Sequence, residues 1–387
     1  MKTDTVKGFQ DFLGEEALKR VKIKNIIQTQ FELYGFEPAE TPTIEYEEFV
    51  KGDNQNDEAI SEIFKLEDKG KRKLALKYEQ TFQLKRIAKN QKLPYKRYQI
   101  SSVFRDEPVK SARFREFTQC DADIIGASPK DEAELFSLVN KILDKLEIKS
   151  VIYFNSRKLL NEILVSENIE EKYREQVIRE LDKLDKLPKK EVADNLKKYG
   201  AEKLINIFDN PEKEFEKYGA YKDIKNLKKL CKSYGTKLTF QPTLARGLSY
   251  YNGTIFEIKT KELKETICAG GAYLIDQSQS FGISFGLERL SMLTKVEGDS
   301  TKVQIISINQ DEKSIKLAQT LRENNISTNL LLDKSIGKAM DYANSKQIEN
   351  VIFVGADEVK SKKFKIKNMK TGDEKSISRQ ALMKSLL

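Results

Sequence analysis

Residues 113–126 read Arg113-Phe114-Arg115-Glu116-Phe117-Thr118-Gln119-Cys120-Asp121-Ala122-Asp123-Ile124-Ile125-Gly126. Side chains alternate along an extended chain, so Arg113, Arg115, Phe117, Gln119, Asp121 and Asp123 share one face. Phe114, Glu116, Thr118, Cys120, Ala122 and Ile124 share the other. The second face is mostly apolar or small and suits packing on helices. The first carries charges and an amide along one strand. Such a face either lies in water, as on an exposed antiparallel strand, or holds a polar ligand. A second extended segment, 98–105, precedes it across a charged loop, and the two predict a facing pair of strands.

Working outward, residues 16–34 have Ile23, Ile26, Ile27, Phe31 and Tyr34 at helical spacing, with Gly35 as a stop. Residues 36–45 are extended and broken by Pro38 and Pro42. Residues 61–78 alternate like a strand pair around Asp68-Lys69-Gly70, and 80–90 read as helical. Residues 156–236 are dense in Lys and Glu, with helical runs at 171–187 and 220–234 and a stop at Pro188. Strand character resumes over 237–258 and 266–275, then 280–285 feeds a helix over 286–295. After a polar linker at 296–301, strands at 303–308, 326–332, 350–354 and 364–368 interleave with helices at 312–324, 334–346 and 378–387. That order predicts a small α/β domain with a largely parallel sheet. The expected architecture is an α+β domain on a mainly antiparallel sheet flanked by helices (1–155 and 237–296), a helical insertion (156–236) and a C-terminal α/β domain (302–387).

The 387 residues predict two or three domains, and 39% hydrophobic with 33% charged residues places the chain among globular proteins. The formal net charge is +9. Residues 302–387 hold 16 Lys+Arg against 10 Asp+Glu, with Lys360, Lys362, Lys363, Lys365, Lys367 and Lys370 around one strand. A basic surface suits a polyanion such as RNA. A solvated lysine-rich surface or a guarded edge strand explains it equally well. Cys120, Cys231 and Cys268 form no C-x-x-C, which argues against a disulfide framework or a cysteine-rich zinc site. The start, MKTDTVKG, has no apolar signal core, and no run approaches the ~20 apolar residues that span a bilayer. A cytoplasmic protein without membrane association is expected. The chain has no histidine and no tryptophan. This excludes Ser-His-Asp triads, Cys-His dyads and histidine-liganded metals. Any catalysis must use positioning and charge, or Glu, Asp, Lys and Tyr.

The run Phe104-Arg105-Asp106-Glu107, a loop, then Arg113-Phe114-Arg115-Glu116-Phe117 resembles motif 2 of class II aminoacyl-tRNA synthetases. An arginine fork stays charged and binds phosphate oxygens in pairs. Glu107 can accept from an adenine amino group, and Phe117 offers the base an aromatic face. Gly282-Ile283-Ser284-Phe285-Gly286-Leu287-Glu288-Arg289 resembles motif 3, with Arg289 in the first helical turn, where anions are favoured. The stretch from Tyr34 to Pro42 resembles a short motif 1, which implies a homodimer. Arg246-Gly247-Leu248-Ser249-Tyr250-Tyr251-Asn252-Gly253-Thr254-Ile255-Phe256-Glu257 is similar to the signature R-G-L-D-Y-Y-x-G-T-x-F-E of histidyl-tRNA synthetases. Asn252-Gly253 would equally suit a hairpin turn. Leu76–Thr81, Gln119 with Asp123, and Cys268-Ala269-Gly270-Gly271-Ala272-Tyr273 match further segments of that family.

The resemblance covers nearly the whole chain and implies ATP-dependent activation of L-histidine and its transfer to tRNA(His). It makes Arg105 and Arg246 catalytic. ATP would be bound by Arg105, Glu107, Arg113, Phe117 and Arg289, and histidine by Glu79, Thr81, Gln119, Asp123, Tyr250, Tyr251 and Tyr273. Mg²⁺ would accompany ATP, with no protein metal ligands, and residues 302–387 would bind the anticodon end of the tRNA. Ser249, Ala272, Lys77 and Thr118 depart from the family pattern (Asp, Arg, Arg and a common His), and the loop 106–112 lacks the usual R-P-Q-K-G. Competing readings are a non-catalytic paralogue, such as the regulatory subunit of ATP phosphoribosyltransferase, a histidine- or RNA-sensing module, and a class II synthetase for another amino acid.

Overall fold

The computed structural model describes residues 1–52, 58–110, 112–185, 187–245 and 250–386, without the side chains of 58, 59 and 185. The chain divides into two compact units, Met1–Phe12 with Lys19–Val296, and Leu13–Leu18 with Glu297–Leu387.

The first unit is built on an eight-stranded sheet. Its strands are β1 (Glu37–Pro38), β5 (Tyr95–Phe104), β6 (Glu116–Ile125), β7 (Val151–Ser156), β8 (Leu238–Phe240), β9 (Tyr251–Lys259), β10 (Cys268–Ile275) and β11 (Ser278–Gly286). Between β1 and β5, a separate three-stranded sheet holds β2 (Ile44–Tyr46), β3 (Lys65–Glu67) and β4 (Lys73–Leu76). The large sheet runs β1-β5-β6-β11-β10-β9-β7-β8. All neighbours are antiparallel except the outermost pairs, β1/β5 and β7/β8.

The two faces of this sheet follow from alternation. Cys120, Ala122 and Ile124 of β6 and Phe281 and Phe285 of β11 are fully buried in the main apolar cluster. The helix Pro129–Lys145 starts at a Ser128/Asp131 capping box with Pro129 in its first turn, so orphan N–H groups are satisfied and φ is preset. It carries Phe136 against Phe256 and Phe281, with ring centroids 4.9 and 5.6 Å away. A buried Phe of this kind contributes about 1.5–3 kcal/mol by area alone. The helix Gly14–Leu33 buries Ile23, Ile27 and Phe31, and matches the expected 16–34 span closely.

Three expectations for this unit needed correction, and one alternative reading falls away. The helix expected over 80–90 is one turn, Leu84–Ile87. β6 begins at Glu116, so Arg113 and Arg115 lie in the loop before it, where a Lys110–Arg113 bridge tightens the turn. Asn252-Gly253 lies inside β9 and makes no hairpin turn. The helix expected over 171–187 stops at Leu181 and continues as a 3-10 turn. The helical stretch forms the crossover between the parallel strands β7 and β8. Its Leu160, Ile163, Val177, Leu196 and Leu227 join the same apolar cluster as the sheet.

In the second unit β12 (Val303–Ser307), β13 (Thr328–Leu331), β14 (Asn350–Val354), β15 (Lys363–Asn368) and β16 (Glu374–Ser378) form one sheet, order β13-β12-β14-β15-β16. Only the β12/β13 and β12/β14 pairs are parallel; β14/β15 and β15/β16 are antiparallel. The expected largely parallel sheet is therefore mixed. The short turn between β15 and β16, with Gly372 at φ +78°, allows a hairpin where a helical crossover would need a dozen residues. Lys365 and Lys367 pair with Glu374 at 2.6 and 3.2 Å, and Lys370 with Glu349 at 3.4 Å, so part of the basic cluster is internally neutralised.

Candidate active site

The polar face of the large sheet is laid out by register. Arg97 of β5 lies opposite Asp123 of β6, Gln99 opposite Asp121, and Ser101 opposite Gln119. On the other side of β6, Asp123 faces Gly282 of β11, and Asp121 faces Ser284. A Cβ on Gly282 would lie 2.1 Å from the Asp123 carboxylate and crowd the Tyr273 ring. Glycine there makes room for a buried carboxylate on the sheet surface.

Arg97 is fully buried and pairs with Asp123 at 2.9 Å, while Tyr273 donates its hydroxyl to the other Asp123 oxygen. Arg97 also donates to the Gln80 carbonyl at 3.0 Å. Burial pushes the carboxyls of Asp121, to about 8, and of Asp123 upward; Arg97 opposes the shift in both. Gln119 donates to Ser284 at 2.9 Å. Lys77, 1% exposed, donates to Ser101 at 2.9 Å, and burial lowers its pKa. The family's usual arginine at that place is thus replaced by a buried lysine inside this network.

Beside this floor opens a cavity of about 620 Å³, whose lining includes Tyr78, Glu79, Thr81, Tyr250 and Tyr273, together with Glu48, Lys51 and Lys85. Tyr250 packs on Tyr251 and Tyr273, centroids 4.7 and 5.7 Å apart. Its hydroxyl lies 3.5 Å from Glu79, at the far limit of a hydrogen bond. Burial raises Glu79 to about 7; Arg105 opposes the rise and the like charge of Asp123 adds to it. Asp123 and Gln119 lie in the floor rather than among the cavity-lining residues.

The second cluster is positive. Arg105 donates to the Tyr78 carbonyl at 3.1 Å, and its guanidinium lies 5.1 Å from the Phe117 ring centre. One face of Phe117 is therefore covered by arginine in this conformation. Glu107, 3% exposed, holds Arg113 at 2.7 Å. Arg289 donates to the carbonyls of Thr266 at 2.6 Å and Ala112 at 3.4 Å. Burial lowers the pKa of Arg289, and Arg113 and Arg105 add to the drop through their like charge. These three guanidiniums therefore share one neighbourhood. Arg105 joins it to Glu79, and Glu79 to Asp123. Arg246 and Ser249 lie outside the described residues.

Several supports escaped the sequence reading. Glu288 accepts from Arg20 at 2.9 Å and from the Thr118 backbone at 3.0 Å, which anchors the helix Leu287–Leu293 that carries Arg289. The Gly8 carbonyl accepts from Arg115 N at 2.9 Å, and Phe9 packs on Phe64 and Phe104, centroids 6.0 and 6.4 Å away. The opening K-G-F-Q-D stretch thus braces the arginine loop. Arg97 had a readable signal: it shares the strand parity of Arg105, but sits one residue before the segment the pattern picked out.

An antiparallel sheet with clustered arginines beside a carboxylate- and tyrosine-lined cavity, plus a separate mixed-sheet unit, defines a class II aminoacyl-tRNA synthetase fold. The chain belongs to the histidyl-tRNA synthetase family: that family's profile matches residues 8–290, and an anticodon binding domain profile matches residues 302–387. Histidine--tRNA ligase 1 of Bacillus cereus is 34% identical, with 100% of both chains covered. Histidine--tRNA ligase of Clostridium tetani is 33% identical, with 99% of both covered. The histidyl-tRNA synthetase structure from Nostoc sp. PCC 7120 superposes with a TM-score of 0.87 at 25% identity, covering 100% of this chain and 99% of that one. An ATP phosphoribosyltransferase regulatory subunit/histidyl-tRNA synthetase from Bacillus halodurans shares the fold, with a TM-score of 0.75 at 20% identity over 91% of this chain and 98% of that one.

Proposed function

We propose that this chain is an aminoacyl-tRNA ligase that activates L-histidine with MgATP to histidyl-adenylate and passes the histidyl group to tRNA(His). The observation that carries this reading is the meeting of two unlike surfaces: Arg289 reaches the carbonyl of Ala112 beside Arg113, and Arg105 reaches the carbonyl of Tyr78, which with Glu79 lines the tyrosine cavity.

In this reading Arg105, Arg113 and Arg289 hold the triphosphate, and Phe117 and Glu107 hold the adenine. Glu107 then has to exchange Arg113 for the base. Glu79 and Thr81 receive the α-ammonium. Tyr250, Tyr251, Tyr273, Gln119 and Asp123 surround and support the imidazole. Arg105 and Arg246 are assigned to the reacting phosphate. The substrate carboxylate is ionised at neutral pH and attacks the α-phosphorus as pyrophosphate leaves. No protein base is required, which suits a chain without histidine. The barrier falls through alignment and through positive charge where the transferring phosphate becomes more anionic. Among the described residues no three His, Cys, Asp or Glu side chains converge on a metal position. Mg²⁺ would accompany the ATP and supply further positive charge to its phosphates.

A terminal ribose hydroxyl of the tRNA next attacks the carbonyl carbon of the adenylate; the new ester bond forms as the anhydride bond breaks and AMP leaves. The 302–387 unit, which carries Lys360, Lys362 and Lys363 just before and at the start of β15, is assigned to the anticodon end. The protein acts as a homodimer in the cytoplasm. Among the described residues no helix is long and apolar enough to cross a membrane. The test is ATP–pyrophosphate exchange with a panel of amino acids. Exchange with histidine alone supports the assignment; exchange with none supports a regulatory or sensing paralogue, and exchange with another amino acid moves the specificity.

A further inference from the structure

Tyr273 has one hydroxyl proton, and it goes to Asp123. A phenol that donates to a carboxylate keeps its oxygen lone pairs for another partner and can only accept from it. The direction holds only while Asp123 is ionised, because a protonated carboxyl can itself donate to the phenol. What faces Asp123 therefore decides which way the pair points. On its own strand stands Asp121, on β5 Arg97, on β10 Tyr273, and Glu79 approaches from the loop after β4. Lys77 lies farther along the same network, near Asp121 and Arg97. Of these, Arg97 is the one cation in direct contact with Asp123, at 2.9 Å with both groups buried. Its Nε and Nη1 find no hydrogen-bond partner among the described residues. Arg97 thus contacts one carboxylate, Asp123, and one carbonyl, Gln80, and its charge reaches Asp121 as well.

We propose that Arg97 is a positioning residue for substrate recognition: buried beneath the cavity, it keeps Asp123 anionic and so locks the Tyr273 hydroxyl as a hydrogen-bond acceptor. Tyr273 lines the cavity and Asp123 does not, so the carboxylate acts through the phenol. An acceptor fixed this way pairs with the N–H of a neutral imidazole ring and leaves a ring nitrogen without a proton unpaired. This rests on the histidine-activating reading above. It deepens that reading by naming the group that sets the proton direction in the pocket. Burial of Asp121 and Asp123 so close together pushes both carboxyls upward, and Arg97 is what opposes this in each.

The test compares Arg97→Met, Arg97→Lys and Tyr273→Phe in histidine-dependent ATP–pyrophosphate exchange from pH 6 to 9. Loss of one charge-assisted contact predicts that Arg97→Met raises the KM for histidine by about 10- to 100-fold at pH 7, with the KM for ATP within about twofold. In Arg97→Met the KM for histidine falls back toward the wild-type value as pH rises, because Asp123 regains its charge. Arg97→Lys keeps the wild-type pH profile with a smaller KM increase, and it carries the test if the Met variant does not fold. Adding Arg97→Met to Tyr273→Phe costs little more than Tyr273→Phe alone, since the two act as a unit. A wild-type pH profile and histidine KM in folded Arg97→Met, or equal losses for ATP and histidine, overturn the proposal. If wild-type protein shows no histidine-dependent exchange, it is the functional reading that fails instead.

Discussion

The two halves of the site solve opposite electrostatic problems. On the arginine side, guanidiniums lie in loops and a helix start, held by the carbonyls of Tyr78, Thr266 and Ala112 and by Glu107. The carbonyl anchors fix the direction of Arg105 and Arg289 without cancelling their charge, while Glu107 pairs with Arg113. On the carboxylate side, Glu79, Asp121 and Asp123 are packed on or beside the sheet floor, and their charge is resisted by burial and by one another. There the missing partner is a cation or a proton donor. A triphosphate fits the first field, and an α-ammonium with a ring N–H fits the second. Compensation is partial in each half: Glu107 pairs with Arg113 in the first, and Arg97 with Asp123 in the second.

The comparison breaks first if the arginines do not act on phosphate. Arg246→Ala and Arg289→Ala are each expected to lower adenylation by about 100- to 1000-fold, as measured by the exchange kcat, if each supplies the charge that the proposed reading assigns to the ATP phosphates. Next, Glu79→Gln should raise the KM for histidine by about 10- to 100-fold, through loss of a charged contact to the ammonium, with ATP binding kept. The same variant sharpens the pH argument. Glu79 titrates near 7, so wild-type affinity for histidine should improve as pH rises from 6 to 8. Glu79→Gln should retain only the part that comes from the ligand's own ionisation.

In the core beneath, Phe136→Ala should cost about 3–5 kcal/mol by denaturant unfolding, a loss of stability with little change in the KM of either substrate. The smallest effect is expected from Asp121→Asn. Asp121 has its pKa raised to about 8 by burial. A raised carboxyl pKa contributes stability in full below the unfolded value near 4, and that contribution is lost as pH climbs through 8. Asp121→Asn should therefore raise the melting temperature relative to wild type by a few degrees more at pH 9 than at pH 6.

The contrast also explains what could be read from the sequence. The polar row Gln119-Asp121-Asp123 was legible because period-two alternation on a long strand is a strong signal, and the sheet keeps it. The arginine motifs were legible because type and spacing recur together. The arginine positions were less so: Arg113 and Arg115 continue the alternation on paper, yet the chain leaves the strand before Glu116. Arg97 was missed because its importance depends on register across two strands, which periodicity within one strand does not reveal. Asn252-Gly253 suited a turn locally, but it lies inside β9, where the pairing with β10 shifts register between Gly271 and Tyr273. The β15/β16 hairpin was hidden by lysine-rich alternation that suits an edge strand and a paired strand equally.

Calorimetric titration of histidine and of MgATP, separately, into folded Glu79→Gln and Arg289→Ala tests the division between the two fields most directly. The account predicts a crossed result: Glu79→Gln loses histidine and keeps nucleotide, while Arg289→Ala loses nucleotide and keeps histidine. Both variants losing both ligands together, or neither losing either, would contradict it.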